Sequence, residues 1–113
     1  MFTKEIIKVE KNMKEGISDA QIHEDGTITF VYQSLAPKAE NLPSMYLIDQ
    51  KDHLYRIDFG VKWRCVRRYP HKEGLLAYVF QRLNHHRDER EIILPISFIK
   101  EVETYFENTI RYV

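Results

Sequence analysis

At 113 residues, 43% of them hydrophobic and 30% charged, the chain has the size and composition of one globular domain, 1–113, and not of a disordered or fibrous protein. Lys and Arg number 17, as do Asp and Glu, so no net charge argues for nucleic acid, a membrane surface or an acidic partner. A single cysteine, Cys65, excludes an intramolecular disulfide, and no run approaches the roughly 18 apolar residues of a membrane span.

The opening segment FTKEIIKVEKNMKEG sets Phe2, Ile6, Val9 and Met13 on one helical stripe, which predicts an N-terminal helix stopped by Gly16. A strand over Ile6 to Val9 is the alternative. Lys4, Glu5, Lys8 and Glu10 stand where a signal peptide would need an apolar core, so a cytoplasmic location and no membrane are expected. AQIHEDGTITFVYQ reads as a hairpin turned at Asp25-Gly26, and SLAPKAENLPS, with Pro37, Asn41 and Pro43, reads as a loop. MYLIDQKDHLYRIDFG repeats the hairpin, turning over Asp49 to Asp52, and Gly60 allows a bend into the next stretch.

VKWRCVRRYP, residues 61–70, alternates like a strand. A strict period of two puts Val61, Trp63, Cys65, Arg67 and Tyr69 on an apolar side and Lys62, Arg64, Val66 and Arg68 on an outer one. LLAYVFQRL, across PHKEG, completes a third hairpin, although Leu75, Leu76, Val79, Phe80 and Leu83 also fit a helical stripe. After NHHRDERE comes the apolar run EIILPI. A helix follows, capped by Ser97, in which Phe98, Ile99, Val102, Tyr105, Phe106, Thr109, Ile110 and Val113 recur at three and four. The fold class expected is α+β: a strongly bent antiparallel sheet or partly open barrel of six to seven strands, with an amphipathic C-terminal helix and an N-terminal one. In the order of its elements it resembles pleckstrin-homology-like domains, a likeness of architecture that carries no function.

Signatures of dinucleotide, nucleotide, zinc-protease, hydrolase and dithiol chemistry are missing, and four scattered glycines build no phosphate cradle. His85-His86 and His23 fall in turns, where neighbouring side chains diverge; neither is assigned a metal. Cys65 with His71 has the letters of a nucleophile and base, but a cysteine on the apolar side of a strand reads as core. Asp49-Gln50-Lys51 with Glu40 upstream matches the acid-x-Lys arrangement of metal-dependent nucleases, which requires the two carboxylates to share an ion. No catalytic residue, metal or cofactor is expected from these residues.

What remains is charge distribution. Residues 62–90 hold eight bases against three acids, a net of +5 balanced by −5 elsewhere. Lys62, Arg64, Arg68, Lys72 and Arg82 are therefore the candidate partner-binding residues, with Trp63, Tyr69, His71 and Tyr78 near enough in sequence to offer stacking surfaces to bases. The alternative is a solvated face whose arginines pair with neighbouring acids.

EIILPIS followed by a helix, and YLID ahead of a hairpin, are similar to the competence transcription-factor family of low-GC Gram-positive bacteria, over scattered residues in about half the chain. The resemblance implies a regulatory role and transfers no functional residue. The expected function is a small non-enzymatic binding or regulatory domain that meets an anionic partner, nucleic acid or acidic protein, through a basic strand pair around residues 62–82. A protein–protein or self-associating module, as a homodimer, is the second reading, and a nuclease the last.

Overall fold

A computed structural model describes residues 15–111. Within them, seven strands precede one helix: β1 (Gly16–Ile22), β2 (Ile28–Gln33), β3 (Ser44–Ile48), β4 (Leu54–Asp58), β5 (Val61–Lys72), β6 (Leu75–Arg82), β7 (Glu89–Pro95) and α1 (Phe98–Arg111). Each strand pairs antiparallel with the next, giving one sheet ordered β1 to β7. The barrel is not closed, because β1 and β7 do not pair. The N-terminal helix expected over Phe2 to Met13 lies outside the described residues.

Each connection has a local cause. Asp25 Oδ1 accepts the Thr27 N–H at 2.9 Å and so shapes the β1–β2 turn around Gly26. The β3–β4 turn is built by Asp49, whose Oδ1 accepts the Lys51 and His53 N–H groups, both at 2.9 Å. Between β4 and β5 only Phe59 and Gly60 intervene, at φ of 50° and 77°, the left-handed pair that a two-residue hairpin loop with the right twist demands. The helical alternative for Leu75 to Leu83 fails. Leu75, Ala77 and Val79 are buried on one face of β6 and Tyr78 and Phe80 on the other, so the apolar run is a central strand covered on both sides.

The sheet curls around Phe98. Its ring lies 4.6 Å from that of Tyr32, 5.2 Å from Tyr46 and 5.6 Å from Tyr78, between centroids, so the first turn of α1 plugs a cage of rings from β2, β3 and β6. In a flat sheet β3 and β6 would stand about 14 Å apart. The Tyr46 and Phe80 rings are nonetheless only 6.2 Å apart, and Glu40, in the β2–β3 loop, donates its N–H to the Ile93 carbonyl of β7 at 2.8 Å. Val102 and Phe106 continue the buried stripe of α1, and Ser97 and Tyr32 both donate hydroxyl hydrogen bonds to the Glu101 carboxylate in its first turn. Tyr105, expected on that stripe, is instead exposed.

Because Phe98 is fully buried against four aromatic rings, Phe98→Ala should cost about 3–5 kcal/mol. A denaturant titration should show the midpoint falling sharply; an unchanged midpoint would mean that α1 does not seat in the sheet.

Candidate binding strand

β5 is twelve residues long and β4 only five. Their pairing runs from Asp58↔Val61 to Tyr55↔Arg64 and stops there, while β5 stays paired with β6 as far as Lys72↔Leu75. From Cys65 to Lys72, β5 therefore has a neighbour on one side only. Its other side is an open edge among the described residues. Pro70 fits this position, since it can offer no N–H to a second neighbour, and every residue from Val66 to Lys72 is exposed.

A bulge corrects the face assignment. Cys65 pairs with Phe80 but Arg67 with Val79, so Val66 is an extra residue and everything after it changes sides. Arg67 and Tyr69 were expected on the apolar side; they lie instead on the outer face with Lys62 and Arg64. Arg68 was expected on the outer face; it lies on the helix side, its guanidinium 5.7 Å from the Tyr78 ring centre. A second irregularity after Pro70 places Lys72 opposite Leu75, on the outer face. Arg82 pairs with Trp63 on the helix side and approaches Asp88 at 3.8 Å. Of the five candidates, Lys62, Arg64 and Lys72 thus share a face, and Arg68 and Arg82 point the other way.

Of the four stacking candidates, Tyr69 lies on the outer face with Lys62 and Arg64, and Tyr78 lies beneath Arg68. Trp63 and Tyr78 face the helix side, and the Tyr69 hydroxyl donates to the Glu91 carboxylate. Arg67 grips Glu89, Nη2 to Oε1 at 2.8 Å, and the pair holds the Glu89 carboxyl below its ordinary value and the Arg67 guanidinium above its own. Arg64 Nη2 lies 3.2 Å from His53 Nε2, and His53 in turn faces Asp49 at 3.4 Å. Lys62, Arg64, Arg68 and Lys72 have no carboxylate in ion-pair contact among the described residues.

An ionic cluster on the helix-side face was not anticipated. Arg56, 7% exposed, donates Nε to both Asp58 oxygens at 3.0 and 3.1 Å and Nη1 to the Tyr46 hydroxyl, while Glu40 stands 3.8 Å from Nη2. Arg90 donates to Asp58 at 2.7 Å and lies over the Trp63 ring at 4.5 Å. Burial is the largest influence on the Tyr46 hydroxyl, whose pKa is pushed up to about 12. The signal was available, since Leu54, Arg56 and Asp58 alternate on one face of β4, which sets two charges in line with a core residue.

Glu40 and Asp49 lie beyond opposite ends of β3 and serve different partners, so the shared-ion arrangement of a nuclease is not assembled. Among the described residues no three His, Cys, Asp or Glu side chains gather as a metal site would need, and no helix is long and apolar enough to cross a membrane. Cys65 faces the helix side. Burial pushes its thiol up, against a smaller pull from Arg68, and His71 lies beyond the bulge. No protein-family model, curated protein or solved structure matches the chain. The similarity to competence regulators therefore brings no residue roles to this site.

Two measurements follow. Asp58→Ala strands two arginines, one of them buried, and should cost about 2–3 kcal/mol in denaturant unfolding, a value discounted because Arg90 is half exposed; a change below about 0.5 kcal/mol would show that the cluster contributes no stability. Cys65 should react with iodoacetamide near neutral pH more slowly than a free thiol, and Arg68→Gln should slow it further by removing the pull toward thiolate. Labelling at the free-thiol rate would contradict this placement.

Proposed function

We propose that this chain is a small non-enzymatic binding or regulatory domain whose partner presents an anionic surface to the outer-face cations of β5, Lys62, Arg64 and Lys72, with Arg68 reached only at the strand edge and Arg82, turned to the helix side beside Asp88, left out. The observation that carries the reading is the lack, among the described residues, of carboxylate partners around Lys62, Arg64, Arg68 and Lys72, the last two on the stretch of β5 that outruns β4. Four cations along one strand that meet no carboxylate among the described residues attract anions locally even when the whole chain carries no net charge.

Of the two anionic partners, an acidic protein surface fits better than nucleic acid. Base recognition on a sheet needs aromatic rings beside the cations. Here Trp63 and Tyr78 face away from Lys62 and Arg64, and Tyr55 and Tyr69, which share the face of those cations, are tied through their hydroxyls to Asp49 and Glu91. The second reading, self-association through a sheet edge, draws on the open side of β5.

The test compares the outer-face triple variant Lys62→Gln, Arg64→Gln, Lys72→Gln with the helix-side pair Arg68→Gln, Arg82→Gln. Both are titrated against a labelled polyglutamate peptide and a random DNA duplex, at about 50 and about 200 mM salt. Since the outer-face substitutions are exposed, that triple variant should keep its stability within about 0.5 kcal/mol. The parent should bind polyglutamate, less tightly as salt rises, and the triple variant should lose about tenfold or more. Equal binding by parent and triple variant would refute the reading. Tighter binding to the duplex, with a salt slope reduced by about three in the triple variant, would move the partner to nucleic acid.

A further inference from the structure

Alongside the open edge of β5 runs a groove of about 800 Å³. Its walls are Ile48 and Leu54 on one side and Ile99 and Val102 of α1 on the other, with Cys65 and Val66 at the strand. That volume lies within the range of sites that hold a ligand. Three features coincide there: a strand with backbone groups facing no neighbour among the described residues, the apolar side chains of Ile48, Leu54, Ile99 and Val102 beside them, and Arg67 and Arg68 along the rim.

We infer that this groove binds an extended, acidic segment of another protein as an added β-strand, paired with β5 from Arg67 to Lys72. The inference rests on the anionic-partner reading above and gives that partner a conformation. An unpaired strand edge is satisfied by another extended backbone, which supplies affinity through main-chain hydrogen bonds and specificity through alternate side chains. Six residues of β5 offer about 20 Å of edge, in which Pro70 contributes a carbonyl but no N–H. A pairing strand alternates its side chains between the two faces, as β5 does. Inward positions would meet Ile48, Leu54, Ile99 and Val102, where Asp52 and Glu103 at the groove mouth repel acids. Outward positions would stand beside Lys72, which meets no carboxylate among the described residues, and beside Arg67, which is shared with Glu89, so an acid is favoured toward the Lys72 end. The segment that fits therefore alternates apolar and acidic residues.

A second copy of this chain fits poorly as the occupant. Antiparallel pairing of two β5 edges would set Arg67, Arg68 and Lys72 of one copy against the same cations of the other, and like charges facing across a sheet are destabilising. An acidic strand removes that repulsion.

The test uses three capped octapeptides of identical charge that alternate Glu and Val. One is unmodified, and the other two are N-methylated on alternate residues, one isomer on the odd amides and one on the even. Only one of these sets can face β5. Binding to the full chain is read by fluorescence anisotropy, and amide chemical shifts locate the contact. The expected result is salt-sensitive binding of the unmodified peptide and of one methylated isomer, loss of about tenfold or more in the other, and shift changes concentrated at Arg67 to Lys72. Equal binding of all three, with the triple variant Lys62→Gln, Arg64→Gln, Lys72→Gln still weakened, would overturn strand addition and leave the cationic reading standing. No binding of any acidic peptide, the polyglutamate included, would overturn both.

Discussion

Five residues of β4 lie beside twelve of β5, and that mismatch shapes the rest of the molecule. Backbone N–H and C=O groups need partners or water, so a strand that outruns its neighbour must manage the exposed side. Here the management is visible residue by residue. A bulge at Val66 breaks the regularity of the edge, Pro70 withholds an N–H, and Arg67, Arg68 and Lys72 place charge along it. These devices suppress pairing with a like strand. On the reading proposed above, the same charges favour pairing with an acidic strand, so protection against aggregation and selection of a partner would come from one set of side chains.

The helix-side face fixes where that edge stands. Phe98 draws β2, β3 and β6 around itself, and the curl brings β4 and β7 close enough for Arg90 to reach Asp58. Buried ion pairs add little net stability over apolar packing, but they penalise any arrangement that leaves a member alone. Arg56 held by Asp58, Glu40 and Tyr46 therefore acts on geometry, registering the β2–β3 loop and β4 against each other. The aromatic cage supplies the cohesion, and the ionic cluster opposes slippage at the other end of the curl.

Much of this was legible in the sequence where the cause is local. Asp25-Gly26, the Asp49 turn, the bend at Gly60 and the three-and-four spacing after Ser97 each act through neighbours in the chain, and each element stands where they imply. The strand β6 was ambiguous because a central strand buried on both faces shows no alternation to distinguish it from a helix. The bulge at Val66 left no signal at all. An extra residue is defined by the partner strand, here by Phe80 and Val79, and inserting one inverts every later side chain. Alternation therefore placed Lys62 and Arg64 with Arg68, when the sheet groups them with Arg67 and Lys72. The open edge was equally invisible, since it follows from the relative lengths of two strands and not from the residues of either.

The central claim is that β5 from Cys65 to Lys72 has, among the described residues, one satisfied side and one free one. Residue-resolved amide hydrogen exchange on the full chain tests this directly. The amides of this stretch that face β6 should be protected, the intervening ones that face the open edge should exchange at rates near those of surface loops, and the amides of β6 should be protected throughout. Uniform slow exchange from Cys65 to Lys72 would contradict the account, because the edge would then already be covered.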